Sequence, residues 1–422
     1  MPQNIIIVGG SLAGLIHGLQ LKREGNNVTI LERDPRSLRS SHNAGISYRT
    51  NMKEFLEKYD DTNSRTAIEC NRLHLTYHPR PSLFTKVIEK PLRYDQTSWG
   101  ALYRLLRANF DGYASQAFPN PPPRRSNDGE AKYLTGKQVT DLKLTGDAVT
   151  VHYTDHDTGE TITQDADFVI GADGVRSIVR QIVQAPAVSE YAGFVSWRGT
   201  VPERELSESA AKFFANGFIY DLMNRNYILC YLIPTDEGGL EQGQRLVNWV
   251  WYVNVAEGSK EMREIFTDLN GKVHGNTVSQ DLVSSSVWAD ARAAGVSKMS
   301  DPFKELLNKT DQPFVTKVND VFCTKARHWN DRVLLVGDAL MTLRPNIAMS
   351  TEQAANQSLL LSKALKGEMT MKVWEQKATQ FSERFFLLSR VVAGLGLGSW
   401  LGFANAVRRY LLFVAKMKWK RS

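Results

Sequence analysis

The stretch IIIVGGSLAG, residues 5–14, decides the fold of this 422-residue chain. Its first four residues predict a short buried strand, and the leucine-rich segment after Gly14 predicts a helix that ends at Gly25–Asn27. Val28–Leu31 predicts a second strand. A strand, a helix and a strand within about 30 residues form a βαβ unit, which is typical of a doubly wound α/β sheet.

The glycine-rich turn of that unit predicts a nucleotide-binding site. Free N–H groups and the dipole at a helix N-terminus favour a pyrophosphate, and small residues let the backbone approach it. An acidic residue at the end of the second strand accepts hydrogen bonds from a ribose diol. Ser11 stands where the pattern usually has its middle glycine, and it keeps the side chain small. The predicted contacts are Gly9, Ser11, Leu12, Ala13, Gly14, Glu32 and Arg33.

Two more predicted strands end in turns that contain glycine and aspartate. Phe168–Ile170 leads to Asp173-Gly174, and Arg332–Val336 leads to Gly337-Asp338. Each sequence by itself is most often only a turn. Their meaning therefore depends on their order after the first motif.

In this order, the three motifs resemble those of the class A flavoprotein monooxygenases, the para-hydroxybenzoate hydroxylase-like aromatic hydroxylases, over most of residues 1–365. The resemblance implies an α/β fold, in which a Rossmann-like FAD-binding domain is interleaved with an antiparallel β-sheet substrate domain and followed by C-terminal helices. It implies that the first motif holds the ADP part of FAD and that the second serves both FAD and transient NAD(P)H. It also implies a helix beginning near Ser350, whose N-terminus stabilises the negative charge of the reduced flavin. The further cofactor contacts implied are Asp173, Gly174, Gly337, Asp338, Pro345, Ser350 and Thr351.

A closer subgroup, the 2,6-dihydroxypyridine hydroxylase-like and related fungal monooxygenases, has strands similar to Tyr191–Gly199 and Asn248–Tyr252. The likeness extends to the segment from Thr97, which implies that Ser98, Trp99 and Arg104 are neighbours of FAD. The chain also departs from the family. Trp99 stands where many relatives have arginine, Leu340-Met341 follows the third motif where many have histidine, and Asn346–Ser350 replaces a glycine-rich loop.

The implied reaction consumes NAD(P)H and O2. Reduced FAD and O2 form a C4a-hydroperoxide, which passes one oxygen atom to an aromatic or other electron-rich small molecule while the other atom leaves as water. The product is a hydroxylated, epoxidised or rearranged compound, in a setting such as secondary metabolism. The candidate catalytic residues are Arg198, Tyr220 and Tyr231. Arg198 either orients a phenolate in a pocket or faces solvent, and each tyrosine is a candidate acid or base.

Other functions fit the sequence less well. A flavin-dependent halogenase carries Trp-x-Trp-x-Ile-Pro, of which only Trp249 and Trp251 are present. A non-catalytic nucleotide-binding protein or a nicotinamide-only dehydrogenase would not need the second and third motifs. No zinc finger, helix-turn-helix or basic stripe interleaved with aromatic residues indicates nucleic-acid binding, and no spacing of ligands indicates a metal site.

The domain division expected from these motifs interleaves two domains. The FAD-binding domain takes 1–180, apart from a substrate-domain excursion at about 71–97, and 321–375. The substrate domain takes 181–320, where alternating aromatic and β-branched residues predict an antiparallel sheet, and a helical tail takes 376–422.

The basic charge of the chain is concentrated in that tail. Arg408, Arg409, Lys416, Lys418, Lys420 and Arg421 account for nearly all of the net charge of +7. Two interpretations remain open: a helix packed on the FAD domain with a solvated basic end, or a basic amphipathic helix on a membrane surface. The three widely spaced cysteines and the absence of a basic region before the first apolar run predict a cytoplasmic protein, with membrane association as the alternative.

Overall fold

The computed structural model describes residues 2–36, 44–77 and 86–419. In chain order, its strands are β1 (Asn4–Val8), β2 (Asn27–Leu31), β3 (Gly45–Tyr48), β4 (Ile68–Tyr77), β5 (Lys86–Ser98), β6 (Ala131–Leu134), β7 (Lys137–Thr145), β8 (Ala148–Asp155), β9 (Thr161–Ala166), β10 (Phe168–Gly171), β11 (Ala187–Pro202), β12 (Gly217–Met223), β13 (Asn226–Ile233), β14 (Leu246–Asn254), β15 (Thr277–Val278), β16 (Phe314–Cys323), β17 (Arg327–His328) and β18 (Val333–Leu335).

The helices pack around these strands. In chain order they are α1 (Leu12–Arg23), α2 (Thr50–Tyr59), α3 (Trp99–Asp111), α4 (Ile178–Ile182), α5 (Glu208–Phe214), α6 (Lys260–Phe266), α7 (Ser285–Val296), α8 (Asp301–Asn308), α9 (Ser350–Leu365), α10 (Met371–Leu397) and α11 (Trp400–Trp419). The predicted helix near Ser350 is confirmed, since α9 begins at that residue.

The first sheet has the order β17-β18-β10-β1-β2-β6 and carries all three glycine motifs. β1 is parallel to both β2 and β10, and β10 is parallel to β18. Ile5, Ile6 and Ile7 are almost fully buried, because β1 lies in the interior of the sheet and α1 is itself buried. The βαβ unit predicted from residues 5–31 is confirmed, and parallel pairing brings the strand ends that carry the motifs to one edge.

The second sheet has the order β15-β16-β11-β14-β13-β12-β4-β5-β3. Its two faces are chemically different, since side chains alternate along each strand. On the back face, Trp197, Trp249 and Trp251 pack into a core with aromatic residues of α5, α7 and α8. On the front face, the core contains Phe194, Phe218, Tyr227, Tyr231 and Tyr252, together with Ala393 and Leu397 of α10. The antiparallel sheet predicted for this segment is present, and each of its faces contributes to a separate buried core.

The predicted domain boundaries do not all coincide with ends of elements. β4 and β5 pair inside the second sheet, as the excursion at about 71–97 requires. The boundary at 180/181 falls inside α4, the boundary at 320/321 falls inside β16, and the boundary at 375/376 falls inside α10. The predicted start of the helical tail at 376 lies within α10, which begins at Met371. The division into two interleaved domains itself stays a prediction.

The tail forms an antiparallel pair of helices, α10 and α11, joined at Gly398 and Ser399. None of the helices in the described residues combines the length and the apolar character needed to cross a bilayer. Lys420 and Arg421 of the basic end lie outside the described residues.

Candidate functional site

A cleft of about 550 Å³ opens at the edge of the first sheet where the motifs meet. It joins the turn after β1, the end of β2 and the turn after β10. Among the residues predicted from the sequence, its lining includes Gly9, Ser11, Glu32, Arg33, Asp173 and Gly174. Segments more than a hundred residues apart therefore build one cleft, as parallel pairing of β1, β2 and β10 requires.

The backbone at this cleft is held close by its glycines. Gly9 has a φ of +102°, and a Cβ atom there would lie 2.7 Å from the carbonyl oxygen of Ala172. A Cβ atom at Gly14 would lie 2.0 Å from the carbonyl oxygen of Gly9. Both positions exclude a side chain, because the turn after β10 lies directly against Gly9, and Gly14 in the first turn of α1 lies directly against the Gly9 carbonyl oxygen. The third motif also lies close to α1, since a Cβ atom on Gly337 would lie 2.9 Å from the Cβ of Ala13.

The N-terminus of α1 is open to an anion. Ser11 is the N-cap residue, but its hydroxyl makes no capping hydrogen bond, and the first turn holds no acidic residue. Leu12 and Ala13 begin the helix. Free N–H groups with no capping side chain suit a pyrophosphate.

Glu32 closes the cleft at the end of β2. Its buried carboxylate accepts hydrogen bonds from the backbone N–H of Gly10 at 2.8 Å and from that of Asp34 at 2.9 Å. It thus holds the glycine turn to the second strand. Each carboxylate oxygen has a further lone pair, so the group can also accept a hydrogen bond from a ribose hydroxyl.

Asp173 organises the second motif. Its carboxylate accepts hydrogen bonds from the Ser177 hydroxyl at 2.5 Å and from the Ile178 N–H at 2.6 Å. Burial raises the pKa of Asp173, and these hydrogen bonds oppose that rise. Arg180 then joins the motifs, because its guanidinium donates to the carbonyl oxygens of Val175 at 2.6 Å and Ala339 at 2.9 Å.

Asp338 carries the clearest sign of an absent partner. Its Oδ1 is buried and has no hydrogen-bond partner among the described residues. Burial raises the pKa of this carboxyl to about 6, and the backbone of Leu343 opposes the rise only in part. A ribityl hydroxyl chain supplies the donors that this oxygen lacks. The open helix end, the glycine approach and this orphaned oxygen all fit FAD.

The loop from Pro345 to Met349 connects the third motif to α9. Ala348 has a φ of +52°, and Ser350 Oγ donates to the carbonyl oxygen of Leu343 at 3.3 Å. Thr351 is buried in the first turn of α9, and neither it nor Ser350 caps the helix, whose N-cap is Met349. The predicted flavin contacts at Pro345, Ser350 and Thr351 stay predictions.

Ser98 and Arg104 have a protein partner that the sequence did not indicate. Ser98 Oγ donates to Asp236 Oδ1 at 2.7 Å, and Arg104 lies 3.1 Å from Asp236 Oδ2. Trp99 stacks on Tyr103 with ring centroids 4.7 Å apart. Ser98 and Arg104 anchor the start of α3 to the loop before β14, whereas Trp99 packs within α3. The proposed contact of all three residues with FAD stays a prediction.

Tyr220 and Tyr231 lie on the front face of the second sheet, as does Arg198. The Tyr220 hydroxyl donates to the carbonyl oxygen of Asn346 at 2.7 Å, which ties the sheet to the loop after Pro345. Burial raises the pKa of Tyr220 well above its usual value. A phenol that is engaged with a carbonyl and is hard to ionise is better suited to positioning than to proton transfer.

Arg198 belongs to a group of buried polar side chains on the same face, which we call the front-face cluster: Ser47, Arg198, Tyr231, Asn248 and Tyr252. Ser47 Oγ, Arg198 Nε, Asn248 Nδ2 and the Tyr252 hydroxyl form no hydrogen bond of normal geometry with any described residue. Burial raises the pKa of Tyr231 to about 12, and the nearby charge of Arg198 opposes the rise. The Nε of Arg198 is buried and the residue as a whole is half-buried, so its predicted role toward a substrate stays a prediction.

Sequence reasoning missed several residues of both regions. Lys137, Gln138, Thr140 and Arg176 also line the cleft. Arg176 lies two residues after Gly174, so the second motif could have indicated it. Lys137, Gln138 and Thr140 belong to β7. Asn248 accepts a hydrogen bond from the Gly45 N–H at 2.9 Å across about two hundred residues of chain, a contact that no local pattern reveals.

Comparison with known proteins gives a consistent picture. Residues 191–320 match the family model described as FAD binding domain-like. The chain is 28% identical over 382 residues to 2,6-dihydroxypyridine 3-monooxygenase of Paenarthrobacter nicotinovorans, which covers 89% of this chain and 87% of that one. It is 25% identical over 369 residues to 6-hydroxynicotinate 3-monooxygenase of Pseudomonas fluorescens, which covers 86% and 82%.

A solved structure supports the same relationship. The fold matches that of 2,6-dihydroxypyridine-3-hydroxylase from Arthrobacter nicotinovorans with a TM-score of 0.79, at 25% identity and over 94% of both chains. These comparisons confirm the predicted resemblance to class A flavoprotein monooxygenases, the α/β fold class and the prediction of an enzyme that binds FAD.

Proposed function

We propose that this FAD-dependent monooxygenase hydroxylates a small aromatic or heteroaromatic compound that binds as a phenolate or a similar anion. The proposed reaction takes the substrate, O2, NAD(P)H and a proton to hydroxylated substrate, NAD(P)⁺ and water. One oxygen atom of O2 enters a C–H bond and the other is reduced to water.

The front-face cluster is the observation that carries this proposal. It holds a buried Arg198 nitrogen, and no described carboxylate forms an ion pair with this arginine. The Arg198 side chain interacts with the Tyr252 hydroxyl, but its Nε forms no hydrogen bond of normal geometry with the described residues. A buried donor in that state is costly unless a ligand completes it. An anionic oxygen on the substrate would supply the missing acceptor for Arg198, and the Asn248 amide and Ser47 hydroxyl offer neighbouring hydrogen bonds.

The chain's own residues would position the substrate and keep water away. Phe194, Phe218 and Leu229 are buried on the front face, and they give the cluster apolar walls. Bound FAD supplies the redox chemistry between NAD(P)H and O2. Exclusion of water by apolar walls favours transfer of oxygen to the substrate over loss of the oxidant as hydrogen peroxide.

Tyr231 is suited to donating a hydrogen bond in this site. With a pKa of about 12, its hydroxyl is protonated at neutral pH. Arg198, rather than a tyrosine base, would therefore favour the ionised form of a substrate phenol by charge. A phenolate is richer in electrons than a phenol, which makes its ring carbons better acceptors of an electrophilic oxygen atom.

The experiment is a comparison of matched substrates. Hydroxypyridines and phenols would be tested against their O-methyl ethers, with NAD(P)H oxidation and product formation measured together. We expect the ionisable compounds to accelerate NAD(P)H oxidation with one product molecule formed per NAD(P)H consumed. Equal stimulation by the methyl ethers would contradict the anionic substrate, and oxidation with hydrogen peroxide as the only product would contradict the proposal as a whole.

NADH and NADPH would be compared in the same assay. Oxidation of one nicotinamide nucleotide is part of the proposal, as are a cytoplasmic location and a place in secondary metabolism. No feature of the described residues favours the halogenase or the non-catalytic alternative over hydroxylation.

A further inference from the structure

The last helix, α11 (Trp400–Trp419), has two apolar faces. One face packs on the protein: Tyr410 and Phe413 lie against the core of the FAD-binding region, and Phe403 lies close to Gly394 of α10. A Cβ atom on Gly394 would lie 3.3 Å from the Cα of Phe403, so glycine lets the two helices approach. The helix is therefore held in place by its inner face.

The outer face of α11 exposes large apolar side chains. Trp400, Leu401 and Trp419 are 79%, 84% and 84% exposed, and Leu411 and Leu412 are 58% and 59% exposed. These five residues are among the thirteen large hydrophobic side chains exposed in the described residues. Trp400, Ala404, Leu411 and Ala415 follow one another at spacings of four, seven and four residues, and Leu412 lies three residues before Ala415, so they form one stripe. A stripe of this kind on a soluble surface marks an interaction site.

The charge around the stripe has one sign. Arg408, Arg409, Lys416 and Lys418 are all exposed on α11, and no aspartate or glutamate follows Glu383 in the chain. A second copy of the same face would bring these cations against one another, which disfavours a symmetric dimer. The complementary partner is an anionic surface.

We propose that α11 docks its outer face on an anionic lipid bilayer, with the helix lying in the plane of the interface. A helix of 20 residues is about 30 Å long, so Trp400 and Trp419 lie at its two ends. Tryptophan favours the boundary between headgroups and acyl chains, and lysine and arginine are attracted to anionic headgroups. The stripe enters the acyl boundary while the inner face keeps the helix attached to the protein. This inference does not depend on the proposed substrate or on the front-face cluster.

Sedimentation with vesicles tests the proposal. The full-length holoenzyme would be mixed with vesicles of phosphatidylcholine alone and with vesicles of phosphatidylcholine and phosphatidylserine, at low and at high salt. We expect binding to the phosphatidylserine vesicles that weakens as salt rises. Absence of binding at low salt, or equal binding to both vesicle types at both salt concentrations, would overturn the proposal.

Two variants separate the two contributions to binding. The charge variant replaces Arg408, Arg409, Lys416 and Lys418 by glutamine, and we expect it to weaken binding to phosphatidylserine vesicles by at least about tenfold. The stripe variant combines Leu411→Gln and Leu412→Gln, and we expect a loss of binding even at low salt. Retention of wild-type affinity in either variant would contradict the docking mode.

A matched control removes the same charge elsewhere. Lys212, Lys272, Lys298 and Lys377 are exposed outside α11, and their replacement by glutamine lowers the net charge by the same amount. We expect this control to keep most of the vesicle binding. A loss equal to that of the charge variant would show that net charge alone is responsible and would overturn a role for α11.

Flavin content and light scattering complete the design. Both α11 variants are expected to keep wild-type FAD absorbance, since their substituted side chains are exposed. Their failure to bind vesicles would then report on docking and not on the enzyme site. If the wild-type protein is a dimer that the stripe variant converts to a monomer, and neither binds vesicles, the stripe is a protein interface and the proposal is wrong.

Discussion

The Tyr220 hydroxyl donates a hydrogen bond of 2.7 Å to the carbonyl oxygen of Asn346, joining the second sheet to the loop that precedes α9. The neighbouring Tyr227 hydroxyl is also buried but forms no hydrogen bond of normal geometry with the described residues, although the Asn346 side chain lies close to it. Two tyrosines on one face thus differ in one hydrogen bond, which makes them a natural pair for comparison.

Tyr220→Phe is expected to loosen the loop and to leave the Asn346 carbonyl unsatisfied. The loss of the hydrogen bond should lower the free energy of unfolding by about 1 to 2 kcal/mol. Because the loop lies beside the third motif, more NAD(P)H should be diverted to hydrogen peroxide. Chemical denaturation and the ratio of product to NAD(P)H consumed measure these effects. Tyr227→Phe, which removes a hydroxyl that forms no hydrogen bond of normal geometry, should change both values less than Tyr220→Phe does.

Arg198→Gln is expected to raise KM for a phenolate substrate by about tenfold or more, because a buried charge pair is lost. FAD binding should not change, since no described contact joins Arg198 to the nucleotide cleft. Arg204→Gln is the control, because Arg204 is exposed on the same sheet's connecting loop. Steady-state kinetics with the phenolate and with its methyl ether measure whether the change in KM depends on the charge of the substrate. An equal change in KM for both compounds would argue against a charge interaction.

Asp338→Asn should make stability and cofactor binding change in opposite directions. Burial raises the pKa of Asp338 in the folded protein to about 6, above its unfolded value, so its ionisation opposes folding. Stability of the FAD-free protein is therefore lost as pH rises from about 4 through about 6, by about 3 kcal/mol. The asparagine variant should melt at a higher temperature than wild type at pH 8 and at an equal temperature near pH 4.

The same variant should bind FAD more weakly, because an amide accepts hydrogen bonds from ribityl hydroxyls less strongly than a carboxylate. Thermal melts of the FAD-free protein and titration with FAD give the two values. Asp311→Asn, at an exposed carboxylate, serves as the control and should change neither. A pH-independent difference in melting temperature would contradict the raised pKa.

Gly9→Ala should abolish FAD binding and destabilise the fold. The substitution places a Cβ atom 2.7 Å from the Ala172 carbonyl oxygen at a backbone φ of +102°. Strain of this kind costs about 1 to 3 kcal/mol, and relief of the clash must move β1 from β10. Gly146→Ala is the control, because its φ of +59° is also positive but its surroundings are open. The control should lose about 1 kcal/mol and keep its flavin.

The sequence was sufficient where structure is decided locally. A strand that runs into glycine and then into a helix specifies a turn with a bare helix N-terminus, and residues 5–14 form that unit. Parallel pairing then places the end of every such strand at one edge, which explains why Glu32 and Asp173 share a cleft. The confirmed parts of the fold rest on these short-range rules.

Contacts between distant segments could not be predicted in this way. Asp236 receives Ser98 and Arg104 because the loop before β14 folds over the start of α3, more than a hundred residues away. Arg344 and Asp320 form a buried ion pair, with Arg344 Nε 2.8 Å from Asp320 Oδ1, that no motif contains. Alternation along β14 also separates Trp251 from Tyr252, but only the packing of α5, α7 and α8 decides that the tryptophan is on the back face and the tyrosine on the front face.

The most direct test of the central claim is the origin of the oxygen atom in the product. The purified FAD enzyme would turn over a phenolic or hydroxypyridine substrate under ¹⁸O2 in ordinary water, and the product would be analysed by mass spectrometry. The account predicts one ¹⁸O atom per product molecule and consumption of one NAD(P)H. The account would be contradicted by a product whose new oxygen atom comes from water. It would also be contradicted if every substrate that accelerates NAD(P)H oxidation yielded only labelled hydrogen peroxide.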